Sequence, residues 1–180
     1  MKLMIASDLH GSAWGCGALM TAMEREAADR LLLLGDLLYH GPRNALPRDY
    51  DPPRVAELLN AAADRLLCVR GNCDADVDQM VLQFPILAEY AVLELDGKIL
   101  YAAHGHNACA DALPPLRPGT LFLQGHTHVP MCEVRGGILC LNPGSVSIPK
   151  DGSPNSYMTL DGGVLRWKKL DGSVYREHRL

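Results

Sequence analysis

The chemistry-bearing residues of this chain are grouped. Five of its seven histidines lie in three short motifs, Asp8-Leu9-His10, His104-Gly105-His106 and Gly125-His126-Thr127-His128. Two further motifs, Gly35-Asp36 and Gly71-Asn72-Cys73-Asp74, add carboxylates and an amide. Carboxylate, imidazole and amide oxygen suit borderline-to-hard divalent ions such as Mn²⁺, Fe²⁺, Co²⁺ or Zn²⁺. No Cys-x-x-Cys pair points to a structural zinc site. The donors exceed what one catalytic ion with an open position needs. A pair of ions sharing one carboxylate, roughly 3.5–4 Å apart, fits better. Each motif alone has an ordinary explanation: a turn at Gly35-Asp36, a helix cap by Asn72 or Asp74 near Val77, exposed loop histidines at 104 and 106. Their conjunction points to a metal centre.

The elements that must position these residues can be read from hydrophobic periodicity. Residues 3–7, 31–34 and 66–70 read as buried strands, ending at Asp8, Gly35-Asp36 and Gly71-Asn72. Helical spacing over 17–28 and 53–63 separates them, with Pro52 and Pro53 suiting the first turn of the second helix. This alternation predicts an α/β domain with a largely parallel sheet at its start. The second half is strand-rich. Runs 92–95 and 99–103 flank Asp96-Gly97, a hairpin signal, and a strand covers 120–124. Pairs 131–134 with 138–141, and 157–160 with 164–167, flank Gly-Gly turns, and a last pair turns at Asp171-Gly172. The whole predicts a two-layer β-sandwich of mixed sheets flanked by helices, in one domain over 1–180. Every donor motif follows a strand, where α/β sheets place their ligands. Two irregular segments, 39–51 and 107–119, follow such motifs and are placed to cover a site.

Composition bounds the function. At 180 residues and 48% hydrophobic content, the chain can bury a sizeable core. No apolar run nears the ~18 residues of a membrane span, and the N-terminus lacks the long apolar region of a signal peptide. A formal charge of −4 argues against long nucleic acid as partner. The six cysteines form no CxxC pair and most sit in apolar runs, so they read as reduced thiols, mostly buried, in a cytoplasmic protein.

In this order the DxH, GD, GNxD, HGH and GHTH motifs resemble the calcineurin-like metallophosphoesterase superfamily, over essentially the whole chain. Residues 40–44 (HGPRN), 69–74, 77–80 (VDQM) and 142–150 (NPGSVSIPK) resemble its small bacterial YfcE-type phosphodiesterases. Carried over, the resemblance implies two metal sites. Asp8, His10, Asp36 and His128 would hold one ion; Asp36, Asn72, His104 and His126 the other, with Asp36 bridging. It further implies activation by Mn²⁺ (Zn²⁺, Fe²⁺, Co²⁺ or Ni²⁺ as alternatives) and hydrolysis of a small phosphodiester, and it leans toward a homo-oligomer.

A water bridging two dications loses a proton near neutral pH and becomes the nucleophile. Two dications less Asp8, Asp36 and one hydroxide leave a formal +1, which a phosphodiester monoanion matches. Further candidates surround this set. His106 is a phosphate contact or general acid. Asp74 orients a histidine or the leaving-group proton, or caps a helix. Arg43 offers bidentate phosphate contact, with His40 beside it. Asn142 and Ser145 shape a Pro-Gly turn beneath the metals. Cys73 reads as structural, its side chain pointing away from its neighbours. Two other functions share the fold: a non-catalytic protein-interaction scaffold, and a nuclease or nucleotide phosphatase. A degenerate scaffold would have lost the DxH or GHTH histidines, which are present.

Overall fold

A computed structural model describes residues 1–180. Two mixed sheets pack face to face. The first has six strands in the order β11-β10-β9-β1-β2-β3 and the second five, β4-β5-β6-β8-β7. In the first, β1 (Leu3–Ala6), β2 (Arg30–Leu33) and β3 (Leu66–Cys68) run parallel. Strands β9 (Ser156–Asp161), β10 (Val164–Lys169) and β11 (Val174–Arg179) extend it antiparallel. The parallel character read from the sequence therefore belongs to β1–β3 alone. In the second sheet, β5 (Lys98–Ala103), β6 (Leu121–Leu123) and β8 (Ile138–Asn142) are parallel. Antiparallel β4 (Tyr90–Leu95) and β7 (Met131–Arg135) form its edges.

Strand alternation sorts the core into layers. Leu3, Ile5 and Leu32 face Leu100, Leu121, Leu123 and Leu141 between the sheets. Met4, Ala6, Leu31 and Leu33 point outward beneath the helices α1 (Ala13–Arg25) and α2 (Pro52–Asn60). The outer face of the second sheet carries no helix. There the irregular segment 107–119 lays Ala110, Leu113 and Leu116 over Phe122, Ile138 and Cys140. No helix is long and apolar enough to cross a membrane.

Helix α1 begins at Ala13, four residues before the start that its periodicity predicts. Ser12 caps it, accepting from Gly15 N–H at 3.0 Å. Burial of Ala13 and Cys16 outweighs the low helix propensity of Gly15 and Gly17. Helix α2 starts at Pro52, capped by Asp51, and ends at Asn60 rather than 63, where a 3₁₀ turn at Ala63–Arg65 leads into β3. All six cysteines are free; Cys16, Cys68 and Cys140 are buried, whereas Cys73, Cys109 and Cys132 are half-buried.

Candidate metal centre

Strands β1, β2 and β3 of one sheet and β5 and β6 of the other all deliver their carboxyl ends to one edge of the sandwich. There the backbone stitches the loops together. His10 N–H donates to Asp36 O at 2.9 Å, Asp8 N–H to Gly35 O at 3.1 Å, and Gly125 N–H to His104 O at 2.8 Å. A bond from His126 N–H to Asp8 Oδ2, 3.1 Å long, ties the two sheets across the site. Asp8, His10, Asp36, His126 and His128 all take positive φ, at 60°, 47°, 57°, 63° and 62°. Non-glycine residues rarely adopt this region, and such strain collects at functional sites. The motif glycines make room. A Cβ on Gly71 would collide with Asp36, and one on Gly125 with Ser7 Oγ.

The donors fall into two overlapping groups. Asp8, His10 and His128 form one: Asp8 Oδ1 lies 3.4 Å from His128 Nε2 and 3.7 Å from His10 Nε2. Asp36, Asn72, His104 and His126 form the other. His104 Nε2 lies 3.4 Å from Asp36 Oδ2, 3.0 Å from Asn72 Oδ1 and 3.3 Å from His126 Nδ1. Asp36 joins the groups, since its Oδ2 is also 3.6 Å from His10 Nε2. Its Oδ1 is held by Cys73 N–H at 2.8 Å, so the carboxylate cannot turn away.

Three histidines are oriented by carbonyls. His10 Nδ1 meets Tyr39 O at 2.8 Å, His104 Nδ1 meets Leu34 O at 2.6 Å, and His128 Nδ1 meets Ile148 O at 2.6 Å. A carbonyl only accepts, so each Nδ1 carries a proton and each Nε2 is the nitrogen that can present a lone pair to a cation, as in metal-binding histidines. Asp8 Oδ1 is buried and accepts no hydrogen bond. A divalent cation fits this set: it supplies the missing partner of Asp8 and the positive charge that converging lone pairs require.

With no ion bound, imidazoles supply the positive charge that the two buried carboxylates need: against its burial, Asp8, the Tyr39 carbonyl and Asp36 raise the pKa of His10. Burial opposes ionisation of Asp36, but His104, Cys73 N–H and His10 outweigh it and bring its pKa down to about 2. Asp8 is held below the usual carboxylate range against still deeper burial, by His10, His104 and His128. Burial lowers His126 and His128, whereas for His104 the neighbouring Asp36 and Asp8 overcome it and raise the pKa to about 9.

The centre opens into a cleft of about 400 Å³, lined by donor residues and by Arg43, Asn44, Cys73 and Lys150. Cys73 faces this cleft instead of turning from its neighbours, and Asn72 Nδ2 donates to its sulfur at 3.3 Å. Burial and the negative Asp36 push its thiol up to about 12, so it stays protonated. Asp74 neither caps a helix nor touches a histidine. Its buried carboxylate accepts from the backbone N–H of Asp36, Leu37 and Gly71, at 2.8, 2.8 and 2.7 Å. The 3₁₀ turn at Asp78–Met80 has no side-chain cap. His106 is exposed and lies beside the centre, its ring 5.4 Å from that of His104, in a separate small cleft with Tyr90 and Tyr101. Burial and then His104 hold its pKa below the usual range. His40 packs edge-on against Tyr50 and anchors the loop by accepting from Asn44 at its carbonyl. Asn142 donates to Gly125 O, and Ser145 Oγ to Asp8 O, so both brace the donor loops. Sequence reasoning missed Lys150 as a cleft residue, although it ends the NPGSVSIPK stretch.

This fold and centre are those of a metallophosphoesterase. The family model for the calcineurin-like phosphoesterase superfamily domain matches residues 1–162, and the chain belongs to that superfamily. It is 49% identical over 165 residues to Phosphodiesterase YfcE of Escherichia coli K12, covering 92% of this chain and 90% of that protein. The solved structure of the E. coli phosphoesterase Yfce superposes with a TM-score of 0.96 at 46% identity, over 99% of each chain. An Entamoeba histolytica Vps29 mutant shares the fold, with a TM-score of 0.62 at 20% identity over 100% of this chain and 99% of that one.

Proposed function

We propose that the chain, acting as one domain over 1–180, is a metal-dependent phosphodiesterase that holds two divalent ions, Mn²⁺ first among them. The observation that carries this reading is the placement of Asp36. One oxygen is fixed by Cys73 N–H, and the other lies within 3.6 Å of His10 Nε2 and 3.4 Å of His104 Nε2, in position to be shared. Asp8, His10, Asp36 and His128 would hold one ion, and Asp36, Asn72, His104 and His126 the other. When bound, such a pair supplies a water deprotonated near neutral pH and offsets charge on the phosphate oxygens. The chain's own part is positional. The carbonyls of Leu34, Tyr39 and Ile148 fix the imidazole tautomers, and Asp74 fixes the backbone that carries Asp36. Arg43, from the loop after β2, lines the cleft, where its guanidinium can make a bidentate contact to a phosphate group of the substrate. His106 stands beside the centre, where it can give a proton to a departing alkoxide.

The kinship with a named phosphodiesterase supports a diester substrate, and the size of the cleft supports a small one. Six free cysteines fit a reducing compartment such as the cytoplasm. The complete donor set favours catalysis over the scaffold reading. The test is hydrolysis of bis-p-nitrophenyl phosphate beside p-nitrophenyl phosphate, by chelator-treated protein refilled with Mn²⁺. Metal-dependent release, faster from the diester, is expected. Faster turnover of the monoester would overturn the diester assignment, and inactivity with every divalent metal would favour the scaffold.

A further inference from the structure

Two cationic side chains stand in the cleft outside the donor set. Arg43 and Lys150 both line it, from the loops after β2 and β8, and neither forms an ion pair. Asp36 is the only acidic residue of the lining. The backbone under each cation is pinned. Lys150 N–H donates to His128 O at 3.3 Å, and its carbonyl accepts from Ser153 N–H at 3.0 Å and Ser153 Oγ at 2.6 Å. Arg43 sits within a turn closed by Asn44, whose amide donates to His40 O at 2.9 Å. Lys150 is thereby tied to His128, and the loop that carries Arg43 is tied to His10 through Tyr39 O, which accepts from His10 Nδ1 at 2.8 Å.

On the dinuclear reading proposed above, the ions with Asp8, Asp36 and a hydroxide leave a formal charge of about +1, which one diester neutralises. Arg43 and Lys150 then leave about +2. A terminal phosphate monoester carries roughly −1.5 to −2 at neutral pH and offers three acceptor oxygens. We propose that Lys150, together with Arg43, forms a subsite for a second, terminal phosphate on the diester substrate. The substrate class is thus a phosphodiester that also bears a phosphate monoester.

A matched pair of substrates tests this. Thymidine 5′-(p-nitrophenyl phosphate) is compared, with and without a 3′-phosphate, on the Mn²⁺-loaded protein. The 3′-phosphate is expected to raise kcat/KM roughly tenfold, mainly through a lower KM. In Lys150→Gln that ratio is expected to fall to about 1–3. A ratio near 1 in the unaltered protein, or one unmoved by Lys150→Gln, would overturn the proposal. If neither nucleotide nor bis-p-nitrophenyl phosphate is turned over, the phosphodiesterase reading fails by itself. The subsite is then judged by calorimetry: thymidine 3′,5′-bisphosphate should bind roughly tenfold tighter than thymidine 5′-phosphate, and equal affinities would overturn it.

Discussion

The Nε2 atoms of His10 and His128 face each other at 3.3 Å, with the rings nearly stacked. Each ring gives its Nδ1 proton to a carbonyl of a different loop, Tyr39 and Ile148. Asp8 Oδ1 lies 3.7 Å from His10 Nε2 and 3.4 Å from His128 Nε2, so three ligand atoms converge on one point. A divalent cation there can bond all three at once, so metal should stabilise the fold. Titrating Mn²⁺ into chelator-treated protein is expected to raise Tm, by an amount set by RT ln(1 + [metal]/Kd). A His128→Ala variant should show a smaller rise.

Asp36 joins the two donor groups, so its loss should disturb both. In Asp36→Asn the fixed oxygen can keep its bond to Cys73 N–H, but the shared position loses its charge. We expect a drop in turnover of about 10²–10³-fold, as for removal of a principal electrostatic element. Bound metal, counted by atomic emission, should fall more than in His128→Ala. Wild-type turnover by purified Asp36→Asn would rule out the bridging role.

Asp74 holds three backbone amides of the donor loops. Asp74→Ala strips three buried N–H groups, those of Asp36, Leu37 and Gly71, of their acceptor. Each unsatisfied donor costs about 1–3 kcal/mol, so urea unfolding should show a loss of about 3 kcal/mol or more. Asp74→Asn, which keeps one of the two acceptor oxygens and can still serve Asp36 and Gly71 N–H, should lose less stability and recover much of the activity. An Asn variant as stable as the parent but inactive would instead place Asp74 in proton transfer.

Glu26 gives a pH dependence far from the centre. It accepts from Lys168 Nζ at 2.6 Å, Lys2 Nζ at 2.8 Å and Tyr157 OH at 2.9 Å, tying the end of α1 to the six-stranded sheet. Burial raises its pKa, but these bonds prevail and bring it from an ordinary 4.5 to about 2. A depressed carboxylate contributes stability that is complete above its unfolded pKa and disappears as pH falls through the folded one. The contribution, on the order of 3 kcal/mol, should therefore be present at pH 7 and fade between pH 4.5 and pH 2. Unfolding free energies of the parent and Glu26→Gln should differ at neutral pH and converge in this window. A gap that persists at pH 2 would assign the effect to packing.

Two glycines should respond oppositely to alanine. Gly17 lies within α1 with open space where a Cβ would stand, so Gly17→Ala should stabilise by about 0.5–1 kcal/mol. At Gly71 the Cβ would collide with Asp36, side chain and backbone alike, so Gly71→Ala should displace the shared carboxylate. Lost stability and lost metal affinity together are expected there, read by thermal melts with and without Mn²⁺.

The sequence by itself determined the layered architecture and which residues are candidate donors. Apolar runs of strand length, Asp-Gly and Gly-Gly turns, and histidines and acids at strand ends are all local signals. Each depends on residue type and on spacing within a few neighbours, and the structure brings the seven metal candidates to one edge. What only the tertiary structure decided depends on partners far along the chain. Leu34, Tyr39 and Ile148 select the histidine tautomers through carbonyls, a group that every residue carries, so no side chain announces the role. Asp74 looks like a cap because Asp often caps helices, yet parallel β2 and β3 bring the amides of residues 36 and 37 onto it. Cys73 turns into the cleft because its N–H is committed to Asp36, 37 residues earlier. Lys150 reaches the same cleft because its amide is bound to His128 O, a contact set by how the loop after β8 folds back beneath the donors.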